Sequence, residues 1–280
     1  MTENSVETES NLFIIQDEEM VLKIIEKEIK RPIPIGVRPL KRGKFGARVQ
    51  DGRIIELALS HLGLRSLPDE ITTLTHIEKL WLNDNNLLVL PPMFYQLAHL
   101  KELYLHYNRL FTLPESIGNF NYLEKLCLNN NRLTKIPETL GDLSNLKELY
   151  LQHNKVSSAE FLGKLTDLKV LYLYHNQMMN LPDSLINLKN LSTLIISNNK
   201  ISSLPKNFEQ LKDLQVLSLH HNRFSKLPKT IGELQNLHIL LLHRNLLSKI
   251  PKTITSLNNL TRLSLEENFL ELTPSFNSWI

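Results

Sequence analysis

An α/β solenoid is the fold that the sequence predicts, with a parallel inner sheet of about ten strands and short helices or turns outside. Three observations support it. An asparagine recurs every 22 or 23 residues, an apolar frame of constant spacing surrounds it, and each copy of the frame changes from a period of two to a period of three. A repeat of this length indicates one supersecondary unit stacked many times, because a single unit cannot bury its own apolar face.

Ten copies of the frame cover residues 54–274. The first apolar residue of each copy is called place one, and apolar residues also occupy places four, six, eleven, fourteen, eighteen and twenty-one. Place nine is asparagine and place fifteen is proline in most copies. The copies begin at Ile54, Ile77, Leu100, Leu123, Leu146, Leu168, Leu191, Leu214, Leu237 and Leu260. The asparagines are Asn85, Asn108, Asn131, Asn154, Asn176, Asn199, Asn222, Asn245 and Asn268.

The residue types within one copy predict its local structure. Leu126 and Leu128 alternate with Cys127, which indicates a short strand with one buried face. Asn131 follows where the chain turns back, and its amide suits backbone donors and acceptors that have no partner in the sheet. Pro137 then suits the first turn of a helix. Stacked copies therefore predict a ladder of asparagines between the inner strands and the outer helical turns.

Ten in-register copies of this frame resemble the leucine-rich-repeat superfamily. The leucine–proline pair that precedes Ile117 and Gly118, and the similar residues 231–234, resemble the intracellular Ras-group subclass. The resemblance implies a horseshoe whose concave face binds a folded protein, with small GTPases or signalling enzymes as partners.

Two copies depart from the frame. The first has Leu62 in place of asparagine, which suits an end repeat without a preceding neighbour. The fifth is one residue short and has Ala159 and Glu160 where leucine and proline belong. We expect this fifth copy to bend the outer side locally.

Residues 17–53 predict an N-terminal cap, because a solenoid exposes its core at both ends. Residues 17–30 have the apolar spacing of an amphipathic helix. Asp51 and Gly52 then suit the tight turn of a hairpin whose second strand enters the first repeat. This helix and hairpin resemble the cap of prokaryotic, particularly archaeal, leucine-rich-repeat proteins.

The two ends of the chain predict less. Residues 1–16 are expected to form an acidic, disordered tail, and residues 275–280 a short C-terminal tail or cap. The apolar side chains that would shield the last repeat are Phe276, Trp279 and Ile280. Either they fold over that repeat, or the protein dimerises or continues there.

Composition limits the classes of function. The chain has 280 residues, 42% of them hydrophobic, a formal net charge of +3 and one cysteine, which is typical of a globular protein. No run of about 18 apolar residues is present, so we expect no membrane span. The small net charge and the lack of a basic repeat face argue against nucleic-acid binding. A single cysteine, without disulfide-rich caps, predicts a cytoplasmic protein.

Catalytic motifs are absent from the sequence. It contains no glycine-rich phosphate loop, no G-x-S-x-G and no H-E-x-x-H. By place and strand, the nearest neighbours of Cys127 are Tyr104 and Tyr150, so the thiol lacks a histidine base. We therefore expect a protein that is not an enzyme and that needs no cofactor.

Aromatic residues and histidines are concentrated at the places that face the inside of the curve, which are two, three, five, seven and eight. Places seven and eight hold seven of the ten histidines, and this face holds five of the seven tyrosines. Rings of this kind give protein interfaces a large contact area at a small entropic cost. The predicted partner-binding residues are Trp81, Tyr104, His106, Tyr107, Tyr150, His153, Tyr172, Tyr174, His175, His220, His221, His243 and Arg244.

Other interpretations of this face stay open. Neighbouring rings such as Tyr150 and Tyr172 would also stabilise the sheet by lateral stacking. The histidines would serve a pH-gated or zinc-dependent binder, because clustered imidazoles gain charge between about pH 5 and 7. A metal site is disfavoured, since zinc takes three or four ligands and the adjacent pair His220 and His243 has only Glu266 as a nearby carboxylate.

The leading prediction is a scaffold or signalling regulator that binds a folded protein on its concave face. The alternative is a regulatory subunit that targets an enzyme such as a phosphatase or a ubiquitin ligase. Both functions use the same inner surface of the repeats.

Overall fold

The structure is a computed structural model that describes residues 13–271. Within these residues, twelve strands form a single open sheet in which strand order follows chain order. Residues 1–12 of the predicted acidic tail lie outside the described residues. So does the predicted C-terminal tail or cap, with Phe276, Trp279 and Ile280.

Each repeat copy contributes one strand to this sheet, and neighbouring copies pair in parallel at the same place. Leu126 pairs with Leu149, for example, and Cys127 with Tyr150. This pairing confirms the predicted solenoid with its parallel inner sheet. The strands are β3 (Arg53–Ala58), β4 (Lys79–Trp81), β5 (Glu102–Tyr104), β6 (Lys125–Cys127), β7 (Glu148–Tyr150), β8 (Val170–Tyr172), β9 (Thr193–Ile195), β10 (Val216–Ser218), β11 (Ile239–Leu241) and β12 (Arg262–Ser264). The strands β1 (Ile35–Gly36) and β2 (Gly46–Gln50) precede them.

Frame leucines fill the interior between the sheet and the outer segments. Leu126 and Leu128, at places four and six of the fourth copy, have 0% exposure. One apolar core runs from Val21 in the cap to Leu257 in the ninth copy. Burying one leucine side chain stabilises a fold by about 1.5–3 kcal/mol, so the repeated frame supplies the main driving force for stacking.

The asparagine at place nine joins two successive copies. Nδ2 of Asn131 donates to the carbonyl of Leu128 at 3.0 Å and to that of Leu105 in the preceding copy at 2.9 Å. Its Oδ1 accepts from the N–H of Leu110, also in the preceding copy, at 2.9 Å. The same three bonds are made by Asn85, Asn108, Asn154, Asn176, Asn199, Asn222, Asn245 and Asn268.

The outer side consists of short 3-10 helices, where the sequence predicts helices or turns. Proline leads into most of them in an extended conformation, as Pro137 does with φ −62° and ψ 142°. Helices of successive copies pack so closely that a Cβ atom at Gly118 would collide with the carbonyl oxygen of Thr139. The helices are Asp69–Thr73, Phe94–Gln96, Glu115–Asn119, Glu138–Asp142, Glu160–Lys164, Asp183–Asn187, Phe208–Gln210, Lys229–Glu233 and Lys252–Ser256.

The fifth copy absorbs its missing residue just ahead of its outer helix. Ala159 adopts φ −147° and ψ 46°, unlike the extended proline found there in other copies. The helix Glu160–Lys164 still has five residues, and β7 pairs with β8 at the usual places. The change is therefore confined to the outer segment, and the inner sheet continues without interruption.

A cap precedes the first repeat. It consists of helix α1 (Gln16–Ile29), the 3-10 helix Lys41–Gly43 and the strands β1 and β2. Strand β2 pairs antiparallel with β3 through a turn at Asp51 and Gly52, whose φ angles are 51° and 76°. Val21 on α1 is buried against the core, so the helix covers the apolar end of the solenoid.

A buried carboxylate in the cap replaces a missing neighbour of the first repeat. In the second copy, the N–H of Ile77 at place one donates to the carbonyl of Leu74 in the copy before it. The first copy has no such predecessor, and the N–H of Ile54 donates instead to Glu18 at 2.6 Å. Glu18 is 1% exposed and also accepts from Arg53 at 3.2 Å. The cap thus satisfies a backbone donor that the stack alone would leave buried and unpaired.

Replacing Leu128 with alanine is expected to lower the free energy of unfolding by about 2–5 kcal/mol, because the site is fully buried and leaves a cavity. Urea unfolding followed by circular dichroism measures this change. Leu88→Ala is the matched control, since Leu88 is 47% exposed and its loss should change stability by less than about 0.5 kcal/mol. Equal effects of the two substitutions would contradict the assignment of the core.

Replacing Asn131 with alanine is expected to destabilise the protein by about 1–3 kcal/mol for each buried group left unpaired. Those groups are the carbonyls of Leu105 and Leu128 and the N–H of Leu110. Asn145→Ala serves as the control, because it removes one exposed hydrogen bond that water can replace. The same urea experiment decides, and an Asn131→Ala protein no less stable than the control would refute the role given to the buried amide.

Candidate functional site

The inner face consists of the side chains at places two, three, five, seven and eight of the repeats, on and beside β4 to β12. The residues that the sequence predicts as partner contacts form three clusters along it. The first cluster is Trp81, Tyr104, His106 and Tyr107, and the second cluster is Tyr150, His153, Tyr172, Tyr174 and His175. The third cluster is His220, His221, His243 and Arg244.

Rings of the first cluster touch from strand to strand. Trp81 stacks on Tyr104 with ring centroids 5.5 Å apart and planes 6° from parallel. His106 meets both Tyr104 and Tyr107 in edge-to-face contacts of 6.2 and 5.8 Å. Tyr107 is 54% exposed, so the cluster presents one large ring to solvent while the others are partly covered.

The side chains at place five face the inside of the curve but are not all accessible, since Trp81 and Cys127 are 8% and 6% exposed and Ala58, Ser218 and Ser264 are also buried. Trp81 lies beneath the cap. Gly43, with φ +66°, approaches it so closely that a Cβ atom there would lie 2.5 Å from the indole ring. Cys127 is small and lies between Tyr104 and Tyr150 on neighbouring strands. Trp81 therefore anchors the cap to the sheet and is not an open contact residue.

A cleft of about 420 Å³ opens between the cap and the first cluster. Its lining mixes apolar and charged side chains, including the ion pair of Lys79 and Glu102 at 2.7 Å. The lining residues are Pro39, Leu40, Glu56, Lys79, Trp81, Asn83, Glu102, Tyr104 and His106. This volume lies in the lower range of small ligand pockets.

The second cluster is the most continuous group of rings on the inner face. Tyr150 and Tyr172 meet edge to face at 5.0 Å, and His153 stacks on His175 at 4.4 Å with planes 13° apart. Tyr174 contacts the edge of His153 at 5.1 Å. The tyrosines are partly exposed and both histidines are exposed. Aromatic pairs of this kind add about 0.5–1.5 kcal/mol beyond the area they bury, so the contacts favour this arrangement of rings while leaving the rings accessible.

A ladder of alternating charges lies at place three and was not predicted from the sequence. Nζ of Lys125 lies 2.7 Å from Glu148, and the hydroxyl of Tyr150 donates to the same carboxylate at 2.7 Å. The same arrangement joins Lys79, Glu102 and Tyr104. Its signal was present in the sequence, because lysine and glutamate alternate at place three and, in opposite phase, at place two. The ladder fixes the tyrosine hydroxyls, so these rings offer faces and edges to a partner.

Charge states within this ladder follow from its hydrogen bonds. Burial raises the pKa of Glu148, but the hydrogen bonds from Lys125 and Tyr150 outweigh burial and hold the pKa below its ordinary value. Burial, followed by the neighbouring carboxylate, raises the pKa of Tyr150. Burial also raises the pKa of the Cys127 thiol to about 12. The thiol is therefore protonated at neutral pH, which does not suit a nucleophile.

Backbone geometry explains part of the histidine enrichment at place eight. Every residue at this place is left-handed, with φ between 53° and 60°, as His153 and His221 illustrate. Among non-glycine residues, asparagine, aspartate and histidine adopt this conformation most readily. The N–H of the place-eight residue then donates to the next copy, as His221 does to the carbonyl of His243 at 3.0 Å. Turn geometry thus favours histidine here independently of any ligand.

Three imidazoles meet in the third cluster, whereas the sequence drew attention to two. His220 and His243 stack at 4.3 Å with planes 11° apart, and His221 meets both edge to face at 5.3 and 5.7 Å. One ring nitrogen of each lies within 4.8 Å of the others. The left-handed turn at His221 brings the third ring into the group, and linear spacing does not reveal that turn. Arg244 lies beside them, with Nη1 3.0 Å from Nε2 of His221.

Burial, followed by the charges of His243 and His221, lowers the pKa of His220 to about 4. Burial and Arg244 likewise lower the pKa of His221. Nδ1 of His220 is buried without a hydrogen-bond partner, as are Oγ of Ser218 and Oε1 of Gln152. His220 is therefore neutral at physiological pH and has an unused ring nitrogen.

Comparison with known proteins identifies the repeat. A family model described as a leucine-rich repeat region matches residues 55–160, and a model of two leucine-rich repeats matches residues 144–188 and 189–230. A leucine-rich-repeat protein of Leptospira interrogans is 37% identical, with 78% of this chain and 68% of that chain covered and a TM-score of 0.62. The chain belongs to the leucine-rich-repeat family.

Other solved structures are similar over much of this chain. The ectodomain of the Arabidopsis thaliana membrane receptor kinase GASSHO1/SCHENGEN3, solved in complex with CASPARIAN STRIP INTEGRITY FACTOR 2, is 29% identical with a TM-score of 0.72. That match covers 80% of this chain but only 32% of the receptor chain, so this chain spans about a third of its length. Internalin C2 of Listeria monocytogenes is 27% identical over 64% of this chain and 76% of its own, with a TM-score of 0.59.

Comparison with curated proteins gives no match. No helix within residues 13–271 has both the length and the apolar character needed to cross a lipid bilayer.

Acidification from pH 6.5 to 5 is expected to lower the melting temperature, in part through His220. An unfolded histidine titrates near pH 6.5, whereas folded His220 has a pKa of about 4. Between these values the unfolded chain binds more protons, so its population rises as the pH falls. The variant His220→Gln should show a smaller loss over this window in melts followed by circular dichroism. An unchanged pH dependence in the variant would contradict the lowered pKa.

Proposed function

We propose that this leucine-rich-repeat protein is a non-enzymatic binding module that holds a folded protein partner on its inner face, with the second cluster at the centre of the contact. The observation that carries the proposal is the continuous group of accessible rings on β7 and β8. Tyr150, Tyr172 and Tyr174 are partly exposed, and His153 and His175 are exposed. A packed monomer core has no need of these rings, because the frame leucines beneath them are already fully buried.

Preorganisation favours binding at this cluster. Side chains that lose rotamer freedom on association weaken binding by about 0.5–1.5 kcal/mol each. Tyr150 and His153 are held before binding, the former by its bond to Glu148 and its contact with Tyr172, the latter by its stack on His175. Aromatic side chains fixed in this way are typical of the few residues that dominate binding energy.

The charges beside the cluster give the contact a polar border. Lys125 and Glu148 are paired with each other at 2.7 Å, and Lys125 lies 5.3 Å from the ring of Tyr150. Paired charges at the edge of a contact exclude mismatched partners more than they add affinity. This border supports a specific protein surface over a general apolar one.

The relatives support a protein as the ligand class. The receptor ectodomain that resembles this chain was solved in complex with a named integrity factor. Members of the leucine-rich-repeat family typically bind other proteins and do not catalyse reactions. We further propose a cytoplasmic setting with a small GTPase or signalling enzyme as partner, as the Ras-group resemblance implies. The single cysteine suits that setting, since Cys127 is a free thiol.

Affinity capture tests the proposal. Wild-type protein and the variant Tyr150→Ala, Tyr172→Ala, Tyr174→Ala are used to capture partners from the source organism, and bound proteins are quantified by mass spectrometry. Each truncated hot-spot ring weakens binding by about 1–2 kcal/mol or more, so the triple variant should lose the specific partner by at least about tenfold.

A second triple variant controls for general loss of apolar surface. It carries Phe111→Ala, Tyr122→Ala and Met179→Ala, which are 52%, 55% and 57% exposed and lie away from the inner face. This variant should retain the partner, and circular dichroism should show that both variants are folded at the temperature of the capture. A partner that survives the inner-face substitutions, or that is lost equally from both variants, would refute binding at the second cluster.

A further inference from the structure

The third cluster has the chemistry of a metal site. His220 and His221 follow β10, His243 follows β11, and one nitrogen of each ring lies within 4.8 Å of the others. We propose that these three histidines bind a divalent transition-metal ion of the zinc class. Imidazole is the preferred ligand of zinc, copper and nickel, and three protein ligands with one open position are a common zinc arrangement.

The backbone holds the ligand-bearing turns in a fixed relation. The N–H of His221 donates to the carbonyl of His243 at 3.0 Å across the two copies. Asn245 joins the same turns, since it donates to the carbonyls of Leu219 and Leu242 at 3.0 and 2.9 Å. The backbone of these turns is therefore already ordered before an ion binds, and binding needs only rotation of the histidine side chains.

Two of the rings are in the state that a metal requires. Nδ1 of His243 lies 2.7 Å from Oγ of Ser264. When His243 donates its Nδ1–H in this bond, its Nε2 carries a free lone pair, and an outer hydrogen bond of this kind orients most metal-binding histidines. Nδ1 of His220 is buried and has no hydrogen-bond partner, so no existing bond at that nitrogen has to be broken.

Binding requires two rearrangements. Nitrogens on a tetrahedral zinc ion lie about 3.3 Å apart, so the stacked rings of His220 and His243, 4.3 Å between centroids, must tilt until their ligand nitrogens converge on the ion. Nε2 of His221, if it is the ligand atom, must give up its hydrogen bond from Arg244. Arg244 then keeps its ion pair with Glu267 at 2.7 Å, which partly offsets its repulsion of a cation.

The second cluster supplies an internal control. His153 and His175 also lie on neighbouring strands and stack at 4.4 Å with planes 13° apart, much as His220 and His243 do. No third imidazole, thiol or carboxylate joins that pair to make a group of three ligands within the described residues. If two stacked histidines were sufficient, both pairs would bind metal equally.

Calorimetric titration of the full chain with Zn²⁺ at pH 7.5 tests the proposal, with any histidine tag removed and the protein first treated with a chelator. Wild type is expected to bind one ion per chain. His220→Ala and His243→Ala should each weaken binding by at least about tenfold, since even loss of an outer hydrogen bond weakens a metal site 10- to 100-fold. The double variant His153→Ala, His175→Ala should bind as wild type does.

Two further measurements separate lost ligands from lost structure. Metal-free melts of the single variants should stay close to wild type, and saturating Zn²⁺ should raise the melting temperature of wild type but not of His220→Ala. Co²⁺ bound to wild type should give the visible absorption of tetrahedral coordination. Absence of stoichiometric binding, binding retained in both single variants, or equal loss in the His153 and His175 control would overturn the proposal. No partner protein is used, so this result is independent of the capture experiment.

Discussion

The hydrogen bonds of the asparagine at place nine are the interaction on which the rest of the structure depends. Each amide joins two carbonyls and one N–H from two successive copies, as Asn131 does for its own copy and the one before it. A copy therefore relies on its neighbour to satisfy buried backbone groups, which makes stacking cooperative. The start of the array has no earlier neighbour. There the carboxylate of Glu18 accepts the hydrogen bond from the N–H of Ile54 that a carbonyl of a preceding copy would otherwise accept. The cap thus satisfies a buried backbone group with a side chain, as the asparagines do within the array.

The turn that the asparagine stabilises also selects the residues of the inner face. Place eight is left-handed throughout, and this conformation favours the residue types that also bind metals and protons. The left-handed backbone at positions 153 and 221 thus favours histidine there for a structural reason. The clusters differ in the side chains that contact each ring. His153 contacts a tyrosine within a broad surface, whereas His221 contacts two imidazoles in a compact group. One turn geometry has produced two different local chemistries.

The sequence was sufficient for the frame and insufficient for contacts that cross it. Leu126, Leu128 and Asn131 follow from period and spacing, because each repeat faces an identical neighbour and the same place always meets the same place. Trp81 could not be placed correctly in this way, since the residue that covers it, Gly43, belongs to the cap and breaks the repeat. The third imidazole, His221, depended on a backbone angle that residue spacing does not encode. The charge ladder could have been predicted from the sequence, but only by comparing the residues at place three from one copy to the next.

Alternation of lysine and glutamate at place three restricts how the array can change in length. Adjacent strands lie about 4.8 Å apart, so each charge from β4 to β7 has an opposite charge directly beside it. Deleting or duplicating a single copy in this region would set lysine beside lysine or glutamate beside glutamate. Adding or removing two copies preserves the alternation. The charge pattern in this half therefore favours changes of two repeats at a time, whereas it places no such restriction on single copies where place three is uncharged, at Val170, Thr193, Val216 and Ile239.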